Sequence, residues 1–537
     1  MLTNVDWLVV LAYFVVVFLV AFGVSRRRET RESAAGYFLG NRNAGWFIVG
    51  ASLFASNIGS EHLVGLAGTG AASGVAVAQF EILASLILLL LGWFFVPFYL
   101  RSGVYTMPEF LERRYSPAAR WYLAVISIVG YVLTKISVTI FAGGIVFEAL
   151  MGIDFWTGAF IVVVATGIYT VFGGMRAVLY TDMMQMVVML AGASMVTWIG
   201  LQAVGGWDVM AAEAGTDFLD MWKPATDPNF PWTGILLGAP ILGVWYWCTD
   251  QFIVQRVLAA KNIQEARRGA IFAGVLKLLP LFIFVVPGII AHVLASRGEL
   301  VLSSPDAALP TLVSTLLPEG LRGLVVAGLL AALMSSLSSV FNSCSTLVTW
   351  DVYRKLKPQA QERELVIVGQ VATLVMVGFG LAWIPMMKLV SGQLYQYLQS
   401  VQAYISPPIA AVFLIGIFWG RVNSQGALAA LLTGFVLGLS RLVLELNRDL
   451  VGDGWLGWFV GMNFLHFAIF LFVICAAVLI VVSLATPAPD TAQVDSLTVG
   501  GGKSEPVPVV DAGWRRTDVL ASIGLVALVG AIWLIFS

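Results

Sequence analysis

Ala55-Ser56-Asn57-Ile58-Gly59-Ser60-Glu61-His62 lies in the middle of an apolar run that extends from residue 45 to 69. Five polar side chains interrupt a segment otherwise long enough to cross a bilayer. A charge at mid-bilayer costs about 2.5–3.5 kcal/mol on insertion scales. Gly59 and the Ser/Asn cluster also compete with helical hydrogen bonding, so the helix is expected to break here. A broken spanning helix is tolerated only where its freed backbone is buried or lines a cavity. Ser56 and Ser60 alone would be ordinary helix-packing residues. Asn57, Glu61 and His62 together point to a site.

The rest of the chain places this break in context. Of 537 residues, 59% are hydrophobic and 11% charged, and the mean hydropathy is +0.89. Soluble domains carry about 25% charged residues. Thirty Lys+Arg stand against 31 Asp+Glu. A soluble enzyme, a disordered chain and a basic nucleic-acid binder are excluded, and a polytopic membrane protein remains. Fourteen apolar runs are found near 5–25, 45–69, 73–100, 120–147, 156–174, 179–204, 231–255, 269–296, 320–350, 364–388, 393–420, 426–447, 455–485 and 517–536. They are solid rather than alternating, so the fold class is all-α. With the N-terminus outside, the cytoplasmic loops hold 22 Lys/Arg and the outside loops 5. That asymmetry puts both termini outside. Arg441, four residues before Glu445, is expected to snorkel or pair locally. Cys248, Cys344 and Cys475 have no metal-like spacing and read as packed thiols. No phosphate-binding loop is present, so ATP-driven transport has no engine within this chain.

Span 7 repeats the oddity of span 2. It carries Gly243-Val244-Trp245-Tyr246-Trp247-Cys248-Thr249-Asp250-Gln251. Its aromatic residues read either as core packing or as the apolar floor of a pocket. Two interrupted spans in corresponding positions of two five-helix halves point to an inverted-repeat secondary transporter. Glu81 in span 3, Lys277 in span 8 and Gln396, Gln399 and Gln402 in span 11 add buried polar groups. The three glutamines recur at i, i+3 and i+6, roughly one helix face. Such donors and acceptors suit a polyhydroxylated neutral solute or a zwitterion. Ser335 and Ser336 of span 9 are expected to face the broken backbone at Ala55 and Ile58. Hydroxyls and freed carbonyls make an oxygen-only shell suited to Na⁺, whereas Ser-rich packing is the plainer reading.

These residues resemble the sodium/solute symporters, and within them the sodium/glucose cotransporters. The stretches that carry the resemblance are GASLFASNIGSEHLVGLAGTGAASG (50–74), TMPEFLERRY (106–115), GGMRAVLYTDMMQ (173–185), WYWCTDQFIVQR (245–256), GVLKLLP (274–280), LMSSLSSVFNSCSTL (333–347) and SPPIAAVFLIGIFWGRVN (406–423). The resemblance implies a LeuT-like core of two inverted five-helix repeats. The corresponding layout is 1–44 as N-terminus, first helix and basic loop, and 45–204 as the first repeat. An acidic extracellular loop (205–230) and the second repeat (231–420) follow, then two further spans (421–485), a cytoplasmic linker (486–516) and a last helix (517–537).

By resemblance the sugar site comprises Asn57, His62, Glu81, Tyr246, Trp247, Lys277 and Gln399, with Tyr246 also the inner gate. A sodium site maps to Ala55, Ile58, Ala332, Ser335 and Ser336, and a second to Asp182, Ser338 and Ser339. The implied activity is sodium-coupled symport of a glucose- or galactose-type sugar by alternating access, two sodium ions per sugar; the lack of long glycosylated loops and of an extended insert before the last helix leads us to expect a prokaryotic plasma membrane. The implied partners are sugar or polyol, sodium and the lipid bilayer, with no nucleic acid or nucleotide. Glu61, Gln396 and Gln402 depart from the animal sugar transporters and leave the exact sugar open. A sodium/myo-inositol symporter remains an alternative, as does a sugar sensor or uncoupled sodium channel on the same fold.

Overall fold

The structure is a computed structural model describing residues 2–25, 33–387, 394–447, 451–452, 454–490, 494, 497–498 and 515–537. The side chains of Glu61 and Gln396, and most of the expected linker, lie outside the described residues. The described chain is built of helices, with a single isolated β-bridge between Ala44 and Ala260.

Among the described residues eleven helices are long and apolar enough to cross a membrane. Fourteen is therefore the number of apolar runs, not of unbroken spanning helices. The difference lies in three places. Span 2 is divided into Trp46–Asn57 and Ser60–Ser73 by extended backbone at Ile58 and Gly59. Span 7 is assembled from Trp232–Leu237, Ala239–Gly243, a π-helical Val244–Thr249 and Gln251–Leu258, with Asp250 extended. Spans 5 and 6 form one run, Phe155–Val204, of 50 residues. At 1.5 Å per residue a straight helix of that length would reach about 75 Å, far beyond a bilayer. Gly174, at φ 55° and ψ −159°, kinks the run into two helices. A Cβ there would lie 2.6 Å from the Tyr37 carbonyl oxygen, so glycine serves both the conformation and the close approach.

Helix starts follow local capping chemistry. Ser116 Oγ accepts from the Ala119 amide, and Asn262 and Asn423 accept from Glu265 and Gly426. Span 13 starts at Phe464, later than expected, because Asn463 caps it and Trp455–Gly461 forms a separate short helix. The carbonyls of Phe459 and Val460 at the end of that short helix accept from Arg441 at 2.7 and 3.1 Å. The expected local partner of Arg441, Glu445, instead accepts from Tyr404. Carbonyls left without partners at a helix end accept from a cation placed beside them.

Span 9 (Leu321–Leu356) is the most enclosed span, and spans 1 and 14 are peripheral. Asp6 of span 1 accepts from the Gly320 and Gly323 amides at 2.7 and 2.8 Å, satisfying donors at the start of span 9. The halves of span 2 pack between spans 6, 8 and 9, which brings its break to the centre of the bundle.

Candidate functional site

The unwound segment of span 2 puts Asn57 at the end of one half-helix and His62 in the first turn of the other. Span 3 presents Glu81, the π-helical turn of span 7 presents Tyr246 and Trp247, and Lys277 ends the first helix of span 8. All seven residues expected at the sugar site, including Gln399 of span 11, line one cavity. Phe80, Lys135, Tyr395 and Gln402 complete much of its wall.

The polar groups form one connected network. Lys277 Nζ donates to Glu81 and to Asn57 Oδ1. Asn57 Nδ2 donates to the Tyr246 hydroxyl at 3.1 Å, as does Lys135 Nζ at 3.2 Å. His62 Nε2 is 3.9 Å from Glu81 Oε1. Lys277 therefore neutralises Glu81, and Lys135 serves Tyr246. Each lysine also lies over an aromatic face, Lys135 at 4.6 Å from the Tyr246 centroid and Lys277 at 5.5 Å from that of Trp247. Among the described residues Gln399 and Gln402 have no side-chain hydrogen bond recorded, which leaves their amides available to an occupant. Tyr395 packs edge-on to His62 at 5.8 Å and to Phe80 at 6.1 Å. No sequence signal distinguished it from a core tyrosine.

Beneath this cavity, span 9 meets the broken end of span 2. Ser335 Oγ donates to the Ala55 carbonyl, and Ser336 Oγ to the Ser56 carbonyl at 3.2 Å. Ser336 thus meets the carbonyl of Ser56, one helical position before Asn57. Ala55, Ile58, Ala332, Ser335 and Ser336 are all buried. Hydroxyl and carbonyl oxygens make a donor set that fits a hard cation. Nearby, Asp182 Oδ2 accepts from Ser52 and Ser56 at 2.6 and 3.1 Å, and Ser56 Oγ is 2.8 Å from Ser339 Oγ. Asp182 Oδ1 is buried without a partner among the described residues, an oxygen that suits a cation. Ser339 is thus joined to Asp182 through Ser56, while Ser338 donates to the Ser335 carbonyl at 3.0 Å within its own helix. Ser52, Ser56 and Arg256, whose Nε donates to Ser56 at 3.1 Å, were not foreseen in this cluster. The four-residue spacing of Ser52 and Ser56 was the available signal.

Elsewhere polar groups are structural. His466 Nε2 lies 2.7 Å from Thr233 Oγ1, and His292 packs on Phe218. The three cysteines are free and buried. No group of three or more His, Cys, Asp or Glu that could hold a metal occurs among the described residues.

Broken helices around a buried polar cavity, with a hydroxyl-rich span behind the break, define a membrane-embedded transporter. The family described as "Sodium:solute symporter family" matches residues 37–434, and the chain belongs to it. It is 41% identical over 528 residues to "Sodium/glucose cotransporter 1" of Oryctolagus cuniculus, covering 90% of this chain and 80% of that protein. It is 40% identical over 552 residues to "Sodium/myo-inositol cotransporter" of Canis lupus familiaris, covering 94% and 76%. Among solved structures, a Na⁺-coupled sialic acid symporter in its substrate-bound outward-open state aligns with TM-score 0.77 at 21% identity, over 90% of this chain and 99% of that one. The fold is accordingly all-α and LeuT-like. The protein is a multi-pass, sodium-coupled solute symporter and not an enzyme.

Proposed function

We propose that the solute is a glucose- or galactose-type sugar, carried inward with two sodium ions by alternating access. The observation that carries this reading is the convergence of Asn57, His62, Glu81, Tyr246, Trp247, Lys277 and Gln399 on one cavity. Ring hydroxyls both donate and accept, as do the amides, and the aromatic faces match the apolar faces of a pyranose. Sodium enters first, at Ala55, Ile58, Ala332, Ser335 and Ser336 and at Asp182, Ser338 and Ser339. It holds span 2 against span 9 while the outer side is open. Sugar binds, the outer side closes, and the halves 45–204 and 231–420 rock to face inward. Tyr246 then yields as the inner gate. Sodium drives this cycle only by binding the outward-open state better than its alternatives.

Each charge moved inward gains about 2.3 kcal/mol per 100 mV. A tenfold gradient adds about 1.4 kcal/mol per ion. Two ions then supply about 7 kcal/mol, enough for strong accumulation. The membrane is the plasma membrane of a prokaryote, with both termini outside.

The relatives named for myo-inositol support a second reading, in which the cargo is a cyclic polyol. Uptake of radiolabelled D-glucose, D-galactose and myo-inositol into proteoliposomes under an inward sodium gradient separates the two. Sodium-stimulated uptake of a hexose is expected. Uptake of myo-inositol alone would assign the polyol, and uptake of none would overturn both.

A further inference from the structure

A second, narrower cavity lies on the cytoplasmic side of the first. The chain direction of three spans places it there. On span 11 the wall moves from Leu398, Gln399 and Gln402 in the first cavity to Gln402, Ile405 and Ile409 in the second. On span 7 it moves from Tyr246 and Trp247 to Asp250, and span 4 contributes positions 126–135. With the orientation read from loop charge, spans 7 and 11 run inward and span 4 outward, so all three descend together. Lys135 and Gln402 line both cavities and form the partition between them.

The inner cavity carries a polar group with unused capacity. Asp250 Oδ1 accepts from the Tyr131 hydroxyl and from the Phe252 amide. Asp250 Oδ2 has no hydrogen-bond partner among the described residues, although Asp250 is only 4% exposed. A buried carboxylate oxygen left unpaired costs free energy that an incoming hydroxyl would recover. Lys135 opposite makes the wall neutral overall, which disfavours a cation and leaves an anion facing the carboxylate. Trp245 and Ile405 add apolar surface to which a ring face can lie.

We propose that this inner cavity is a second solute subsite, an exit station that takes the same neutral polyhydroxylated ring after it passes Tyr246. The solute donates a hydroxyl to Asp250 Oδ2 and accepts from Lys135 or Gln402 as it crosses the partition. The proposal rests on sugar or polyol transport as proposed above. A cytoplasmic subsite has its own affinity for internal solute, separable from the affinity of the outer approach.

The test uses the full-length protein in liposomes. D-Glucose, D-galactose and myo-inositol are first screened for sodium-driven uptake; if none is carried, the reading of the solute fails. For a carried probe, the same compound is loaded inside at increasing concentration and inhibition of net uptake is measured. Asp250→Asn keeps the helix-capping oxygen but loses the carboxylate. Gly130→Val fills the inner cavity without touching that cap, since a Cβ at Gly130 would meet only Ile405, at 3.8 Å. Both variants are expected to raise the internal half-inhibitory concentration at least fivefold and change the external half-saturation less than twofold. Internal and external constants moving in parallel, or neither moving, would overturn the inner subsite.

Discussion

Lys277 illustrates how one side chain can hold a site together. It is buried at 1% exposure and binds both Glu81 and Asn57. Removing one partner of a buried ion pair costs about 3–5 kcal/mol, because the other charge is stranded. Lys277→Met is therefore expected to lower the thermal stability of the detergent-solubilised protein strongly. The double change Lys277→Met with Glu81→Gln should recover most of that stability while solute affinity stays low, which separates folding from binding. Gln399 has a simpler role. Gln399→Ala should raise the half-saturating solute concentration about tenfold, the worth of one or two hydrogen bonds. Currents carried by sodium alone should be unaltered. An unchanged half-saturation would remove span 11 from the solute site. Ser336→Ala should raise the sodium concentration needed for half-activation, since its hydroxyl meets the freed end of span 2. The same sodium dependence as the parent would reduce Ser336 to packing.

At the scale of elements, the breaks and turns carry the function. The interruption at Ile58–Gly59 delivers Asn57 and His62 to one cavity from two half-helices, which a continuous helix would not do. The kink at Gly174 divides residues 155–204 into two helices. Gly174→Ala places a side chain at φ 55° and ψ −159°, against the Tyr37 backbone. Such strain costs about 1–3 kcal/mol before any clash. A lower unfolding temperature is expected, and an unchanged one would mean that the chain relaxes there. The short helix Met107–Arg114 is tied to span 9. Glu112 accepts from Lys355 at 2.7 Å and from Arg120, and Thr106 Oγ1 donates to Asp351 at 2.9 Å. Burial raises the Glu112 carboxyl, but hydrogen bonds from Lys355 and Arg120 outweigh it and hold the group below its usual range. A lowered folded-state value stabilises above the unfolded value near 4.5 and is lost as pH falls through the folded value. Glu112→Gln should therefore flatten the acid limb of the stability profile, modestly because the pair is partly solvent-screened. An acid limb identical to that of the parent would show that the pair contributes nothing measurable.

For the whole molecule, coupling is the property to measure. Two positive charges per sugar are expected at every voltage when charge and tracer uptake are recorded together. A ratio that varies with conditions would favour an uncoupled pathway. Replacing external sodium with an impermeant organic cation should abolish accumulation above equilibrium. In the proposed cycle this behaviour belongs to the arrangement of spans 2, 7 and 9 rather than to any one residue, because sodium and solute would meet different elements of the same broken helix.

Much of this was legible in the primary structure because the bilayer is an exacting solvent. Runs of apolar residues, basic loops and misplaced polar groups are each penalised or favoured by several kcal/mol. The all-helical membrane architecture and the break within 55–62 therefore followed from position alone. The grouping of Asn57, His62, Glu81, Lys277 and Gln399 in one cavity agrees with the residues named from motif resemblance. Other features depended on packing. That Lys277 pairs with Glu81, that Ser336 meets Ser56, and that Tyr395 and Lys135 enter the wall are contacts between residues far apart in the chain. Hydropathy sets how deep a residue lies, and only the mutual rotation and tilt of packed helices decides which buried groups face one another.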